Sequence, residues 1–356
     1  MIAGALPLAA ALGGCSDTAS PARHATFVSL GILSGYTSSQ ASAVSSDGTV
    51  VVGTVATAAR NRQAFRWNAV QGMAGLGFLP GGSYSTASSV SANGAVIVGN
   101  GDATSSSPLA AGFRWTADGG AQPVDALSGS AICNVAGVSG DGTGVVGTCL
   151  QVNDTAFRWT ASTGAVALSR FGTGSNQQSA ALGISLDGSV IVGTGHPVLT
   201  GAVTWAVDGS ATVLGKLPGY ATGTATAVSR DGSVVVGAST DNAGMSRAIR
   251  WTQPTGMVDI GNGVAGLLGS FANSVSGNGR VVVGYGTTAA GDVALIWDAD
   301  HGLRLLDAAL ADDFQMQIPG WRLTQATAIS DDARTIAGYA TNPQGQTEAW
   351  IVKLPD

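Results

Sequence analysis

The chain has 356 residues, a length that admits two domains, one large all-β domain or an array of repeats. It holds 53 glycines, about twice the usual share, with 11% charged and 45% hydrophobic residues, which excludes collagen, coiled coils and ordinary helical enzymes but allows a packed core. A formal charge of −6 and an isoelectric point near 4.9 leave no clustered basic footprint for nucleic acid.

Residues 1–14, MIAGALPLAAALGG, carry no charge and no polar side chain, and Cys15-Ser16-Asp17 opens a polar stretch. A run this short cannot span a bilayer and reads as the apolar part of a signal peptide. The tetrad Leu12-Gly13-Gly14-Cys15 resembles the lipobox of bacterial lipoproteins, although no Lys or Arg precedes the run. The resemblance implies that Cys15 is acylated and becomes the mature N-terminus. Ser16 after it resembles the outer-membrane sorting preference of such proteins. The expectation is an exported, lipid-anchored chain at the outer membrane or cell surface, with residues 15–26 as a linker and no other membrane contact.

A repeat begins after the linker. The segment Ala41–Gly53 (ASAVSSDGTVVVG) recurs as Ala87–Gly99, Val135–Gly147, Ala181–Gly193, Ala225–Gly237, Ala272–Gly284 and Ala326–Gly338. Its serines fall at 45, 91, 139, 185, 229, 276 and 330, spacings of 46, 48, 46, 44, 47 and 54. A second mark follows each: Phe65-Arg66-Trp67, Phe113-Arg114-Trp115, Phe157-Arg158-Trp159, then Trp205, Arg250-Trp251, Trp297 and a degenerate Trp350. Each unit reads as four short strands separated by turn residues. Asp-Gly or Asn-Gly between the first two strands of six units predicts a two-residue type I′ hairpin, with the acids as turn formers. The arginines recur with the repeat and are expected to pack beside the tryptophan of their own unit.

Four strands every 40–50 residues or so is the signature of a β-propeller blade, and seven units predict an all-β, seven-bladed propeller over residues 27–356. The last unit ends at Asp356 without a fourth strand, whereas Phe27–Leu33 (FVSLGIL) matches the fourth-strand type. The N-terminal strand is therefore expected to complete the last blade, which also removes an exposed edge. With Cys15 assigned to lipid, Cys133 and Cys149 remain as a pair on the two arms of one hairpin. Position 133 faces 150, or 149 if one bulge intervenes, so a disulfide between neighbouring strands is expected.

The units resemble the HAF family of probable extracellular repeats of bacteria, over residues 27–355, through Ala-x-x-Val-Ser-x-Asp-Gly-x-x-Val-Gly and Ala-Phe-Arg-Trp. The resemblance implies an exported repeat protein without an established reaction. The last unit, Gly320–Ser330, is similar to the family's C-terminal form but continues with Asp332-Ala333 where Asp-Gly is expected.

Strand order puts the connections between strands two and three, and from strand four to the next unit, on one side of the ring. These are long and varied, which makes that side the expected binding face. They carry Arg60, Arg62, Asp154, His196, Asp241 and Arg247, with Tyr84, Tyr220 and Phe271 in unit-to-unit connections. The longest connection, 306–325, holds a short helix at Leu306–Phe314 by its apolar spacing, and offers Asp312, Asp313, Trp321 and Arg322. The three histidines are dispersed, and Gly137-Val138-Ser139-Gly140-Asp141 is a hairpin strand rather than a nucleophile elbow. No catalytic residue, metal or cofactor is assigned. The expected function is a monomeric binding module for an extracytoplasmic glycan or protein. The alternatives are a polysaccharide-active enzyme using aspartates of 306–325, and a structural envelope component.

Overall fold

A computed structural model describes residues 24–104, 107–130, 132–150, 153–172, 177–195 and 201–355. The expectations for residues 1–23, Cys15 included, and for His196 lie outside the described residues. The chain opens with β1 (Thr26–Gly31). Four strands follow, β2 (Ser38–Val44), β3 (Val50–Ala56), β4 (Arg62–Asn68) and β5 (Gly72–Gly75). Next come β6 (Ser85–Val90), β7 (Ile97–Thr104), β8 (Ser107–Thr116), β9 (Gly120–Pro123), β10 (Ile132–Val138), β11 (Val145–Leu150), β12 (Thr155–Thr160) and β13 (Gly164–Ala167). After them stand β14 (Ala180–Ile184), β15 (Val190–Thr194), β16 (Ala202–Ala206) and β17 (Ala211–Gly215), then β18 (Thr222–Val228), β19 (Val234–Thr240), β20 (Ser246–Thr252) and β21 (Gly256–Asp259). The last part holds β22 (Gly269–Val275), β23 (Val281–Thr288), β24 (Gly291–Asp298), β25 (Gly302–Leu305), the helix α1 (Leu306–Phe314), β26 (Arg322–Ile329), β27 (Thr335–Thr341) and β28 (Thr347–Lys353).

These strands form five four-stranded antiparallel sheets and one of eight, in which β6–β9 and β10–β13 are joined by the single parallel pair Ala111/Cys133. The first strand of each repeat touches the next: β2, β6, β10, β14, β18, β22 and β26 in order, with β26 returning to β2. Backbone hydrogen bonds run around one end of this ring. Ser46 N–H donates to Ala92 O, Ala92 to Gly140, Gly140 to Leu186, Arg230 to Gly277, Gly277 to Asp331, and Asp331 back to Ser46, at 2.8–3.3 Å.

The repeat motif has a physical reading in the sheet β18–β21. Ser229 Oγ, fully buried, donates to Asp231 Oδ1 (2.8 Å) and accepts from Val234 N–H (2.9 Å), while Asp231 Oδ1 also takes Ser233 N–H (3.0 Å). Ser229 N–H pairs with Val234 O, and Gly232 N–H donates back to Ser229 O. The connection is therefore a four-residue loop with an internal turn, not the two-residue type I′ hairpin expected from Asp-Gly. Type I′ needs positive φ at both central residues; here Gly232 has φ +77°, while Asp231 is absent from the left-handed region because its carboxylate is committed to its own turn. The serine arrangement recurs at Ser45, Ser91, Ser139, Ser185, Ser276 and Ser330. Mid-way along the second strand, which runs on past the expected Val-Val-Val-Gly segment, Gly237 sits opposite a bulge in β18, and a Cβ there would lie 1.9 Å from Thr224 O.

The cores lie between successive sheets. The first aromatic of each Phe-Arg-Trp mark, Phe65, Phe113 and Phe157, is fully buried. Two of the repeated arginines behave otherwise than expected. Arg114 Nε donates to Gly142 O (3.2 Å) and Arg250 to Gly279 O (3.3–3.4 Å), and the Arg250 guanidinium lies 5.8 Å over Trp297. Both reach the hairpin of the following unit, and Arg250 also its tryptophan, whereas Arg66 Nη1 stays within its own unit on Gln71 Oε1 (3.4 Å).

Two expectations about the chain ends and cysteines agree with the structure. β1 pairs antiparallel with β28, Phe27 opposite Val352, so the N-terminal strand completes the last sheet. Cys133 and Cys149 are direct partners on β10 and β11, joined as a disulfide, with a register shift between Val135 and Gly137.

Candidate functional site

The residues expected on the long-loop side belong to several different sheets and connections, and among the described residues no hydrogen bond or ion pair joins any two of them. Arg60 and Arg62 are exposed, Arg60 with φ +66°. Tyr84 donates its backbone N–H to Asp102 Oδ1 (2.6 Å), beside Ser83 N–H (2.7 Å). Burial pushes the Asp102 carboxyl up, but these donors outweigh it and hold the group below its ordinary value. Asp154 is engaged through its backbone carbonyl, which accepts Ser179 N–H (2.9 Å). Tyr220 N–H closes a turn on Leu217 O. Asp241 is a turn former, accepting Ala243 and Met245 N–H at 2.9 Å, and Arg247 donates to Gly261 O (3.3 Å).

Helix α1 forms at Leu306–Phe314 as expected, burying Leu306, Ala309 and Leu310, and lies against β24 and β25. Asp313 consequently meets Arg304 of β25 in a two-pronged pair (2.9 and 2.8 Å), and Arg304 also reaches Asp298 (3.3 Å). The hydrogen bond from Arg304 holds the Asp313 carboxyl below its usual value, so it is an occupied anion rather than an available acid. Asp312 is exposed one residue away. Trp321 packs edge-on against Phe27 of β1 (ring centres 4.9 Å apart), because the closing strand needs an apolar cover. Arg322 donates to Ala290 O (2.8 Å).

A cluster that sequence reading passed over lies where the long-loop ends of β22–β24 meet those of β26 and β27. Phe271, placed within β22 rather than in a connection, stacks on Tyr285 of β23 with ring centres 4.6 Å apart and planes 9° from parallel. Asp292 on β24 accepts Thr287 Oγ1 (3.1 Å) and Gln325 Nε2 of β26 (3.0 Å). Tyr339 on β27 is the register partner of Gln325. Burial, then the charge on Asp292, raises the pKa of Tyr285; burial, Asp292 and Tyr285 push Tyr339 up to about 12. Both phenols therefore stay protonated as donors at neutral pH, and among the described residues neither hydroxyl has a hydrogen-bond partner. The signal was present in the repeat: the residue after the second-strand glycine is Thr54, Asn100, Thr148, Thr194 and Ala238 in five units, and tyrosine in the last two.

The ring encloses a channel of about 240 Å³ lined by the first strands, with Ser42, Ser89, Thr226, Asn273 and Thr327 among small aliphatic residues and no ionisable group. A depression of about 710 Å³ at the hairpin end is lined by residues that include Arg230, Asp331 and Asp332. Among the described residues, no three His, Cys, Asp or Glu side chains come together as a metal site.

No protein-family model matches the sequence, and no curated protein is detectably similar to it. Solved structures are similar in fold. The β-propeller domain of the Trilobed protease from Pyrococcus furiosus aligns with TM-score 0.60 at 8% identity, over 89% of this chain and 95% of that one. That domain is described as having an open velcro topology, whereas here β1 pairs with β28. TolB from Acinetobacter baumannii aligns with TM-score 0.52 at 14% identity over 73% of this chain, and a prolyl endopeptidase with TM-score 0.55 at 12% identity over 90%. This chain spans 63% of that TolB and 51% of that endopeptidase. The architecture is an all-β one of the β-propeller kind.

Proposed function

We propose that the chain is a seven-bladed propeller, exported and lipid-anchored through Cys15, that acts as a binding module and takes an extracytoplasmic ligand, a glycan first and a protein surface second, on its long-loop side. The eight-stranded sheet is read as two blades, β6–β9 and β10–β13, that touch through one parallel pair. The HAF-like repeats and the lipobox-like tetrad support the address, and the Cys133–Cys149 disulfide suits an oxidising compartment.

The observation that carries the binding reading is the Phe271, Tyr285, Asp292, Gln325 and Tyr339 cluster. Aromatic faces beside unengaged phenol donors and a carboxylate–amide pair are the mixture that a hydroxyl-rich, partly apolar ligand requires. Removing residues 306–325 is a poor test of this side, since α1 buries Leu306 and Leu310 in the core. The better experiment is a glycan array probed with the full chain and with Tyr285→Phe/Tyr339→Phe, which keeps the rings and deletes the hydroxyls. A ligand held by the wild type is expected to weaken about tenfold in the variant. Unchanged affinity for every bound glycan would sink this cluster as the site. Separately, Cys15→Ser is expected to release the protein from membranes, and its retention there would refute the anchor.

A further inference from the structure

We propose that Asp292, Gln325 and Tyr285, on the long-loop side, take the protonated amine of an amino sugar, with the Phe271 and Tyr285 rings against the sugar itself. This inference rests on the glycan reading above and names the chemistry of the ligand. Strand alternation sets the place. Val283, Tyr285 and Thr287 of β23 share one face. Val283 lies in the core that β23 shares with the closing strands, and the other two rise from it toward the long-loop rim. Phe271 is the register partner of Tyr285, and Asp292 that of Thr287, so these four side chains stand on the side of β22–β24 that meets Gln325 of β26. All five residues are only partly buried.

Asp292 carries the charge of this cluster without a cation to answer it. Oδ1 accepts the neutral Thr287 hydroxyl (3.1 Å) and Oδ2 the neutral Gln325 amide (3.0 Å). Arg322, at the start of β26, turns its Nη1 to Ala290 O (2.8 Å) instead, and among the described residues no ion pair reaches Asp292. The field of the carboxylate is felt across the cluster: after burial, it is what raises the phenols of Tyr285 and Tyr339, and no neighbouring cation offsets it. Such a potential disfavours an anion and favours a cation.

An ammonium group brings three N–H donors and accepts nothing. The cluster answers with three acceptors. They are a carboxylate with lone pairs left beyond its two bonds, the Gln325 carbonyl, which the bond from Nε2 leaves unengaged, and the Tyr285 phenol oxygen. A charge-assisted bond to the carboxylate is the strongest of these. Beside it, Phe271 and Tyr285 form a rigid stacked pair, 4.6 Å between centres, whose apolar surface suits the C–H face of a sugar ring. An acetylated amine would bring one neutral N–H and leave the Asp292 charge unanswered.

The test titrates the full chain with two N-acetylglucosamine trimers that differ at one amine, free in the first and acetylated in the second. The amine trimer is expected to bind about tenfold tighter. Asp292→Asn keeps the size of the side chain and an acceptor for Gln325, and is expected to bring that ratio to about one, whereas Asp118→Asn, in an exposed turn of another sheet, preserves it. Thermal melts check that each variant is folded. With the wild type alone, a ratio that survives added salt separates a direct contact from attraction to the net charge. Equal affinity for the two trimers, a ratio lost in salt, or a preference that persists in Asp292→Asn would each overturn the ammonium site. So would neutral glycans held through the tyrosines with no gain from an amine, and in that case the glycan reading stands. Binding of no glycan at all would sink both.

Discussion

The sheet β18–β21 and the closing sheet, β26–β28 with β1, are built to one rule and finished differently. In both, a buried serine, Ser229 or Ser330, organises the first hairpin through its hydroxyl, and a glycine, Gly237 or Gly338, sits mid-way along the second strand where a side chain would strike the opposite carbonyl. The first sheet takes all four strands from continuous chain, so local sequence alone sets its register. The closing sheet takes its outer strand from the other end of the chain and needs residues outside the repeat to hold it. Glu348, the only glutamate in the sequence, does this. Its carboxylate accepts the Ser29 hydroxyl, Gly31 N–H (3.1 Å) and Asn342 Nδ2 (2.6 Å). Repetition thus specifies blades, and a few singular residues specify closure.

That division can be attacked directly. The shared rule predicts the largest effect: Gly237→Ala and Gly338→Ala should each cost about 3–4 kcal/mol in urea unfolding, since the new Cβ would meet backbone at 1.9 and 2.1 Å. A cost below 1 kcal/mol or so in either would mean that the bulge absorbs a side chain and that the glycine mark is not steric. The closure device comes next. Glu348→Ala should cost about 2–3 kcal/mol by stranding the buried Asn342 amide and the half-buried Gly31 N–H, while the exposed Ser29 hydroxyl can turn to water. Its signature is local: hydrogen exchange should quicken in the amides of β1 and β28 while those of β18 and β19 keep their protection. Uniform loss of protection would mean that β1 does not open separately, and the contrast between the two sheets would fall.

The strand pattern was legible because each hairpin, glycine and aromatic mark is a local requirement repeated along the chain. The helix at 306–314 and the disulfide partners were legible for the same reason: apolar spacing, and one bulge in one hairpin. What sequence reading missed depends on contacts between elements that no local pattern encodes. Asp313, offered as a candidate binding residue, is held by Arg304, and Trp321, offered beside it, packs on Phe27 of the closing strand. Arg250 was assigned to its own tryptophan, although the following sheet presents both Trp297 and Gly279 O. The Tyr285 and Tyr339 pair was visible as two tyrosines at equivalent repeat positions, but only Asp292 and Gln325, contributed by separate sheets, give the pair a chemical setting.

The smallest effect tests the hairpin turn itself. Ala333 replaces the glycine of the other six units, yet Ala333 N–H still donates to Ser330 O (3.0 Å), and the residue takes φ +64°. The closing sheet has therefore kept the turn against the preference of an L-residue, a strain of about 1–2 kcal/mol, less what alanine gains from a stiffer unfolded chain. Ala333→Gly should accordingly stabilise the protein by about 0.5–1 kcal/mol. The mirror change, Gly232→Ala, should destabilise it by more than this, because its Cβ would also stand 2.5 Å from Val190 Cγ2 of the preceding sheet. Opposite signs from two reciprocal substitutions at one repeat position are the expected result. If both destabilise, Ala333 earns its place by packing against the core of the closing sheet, where it has partly buried apolar contacts, and the turn there is shaped by its neighbours rather than by the repeat.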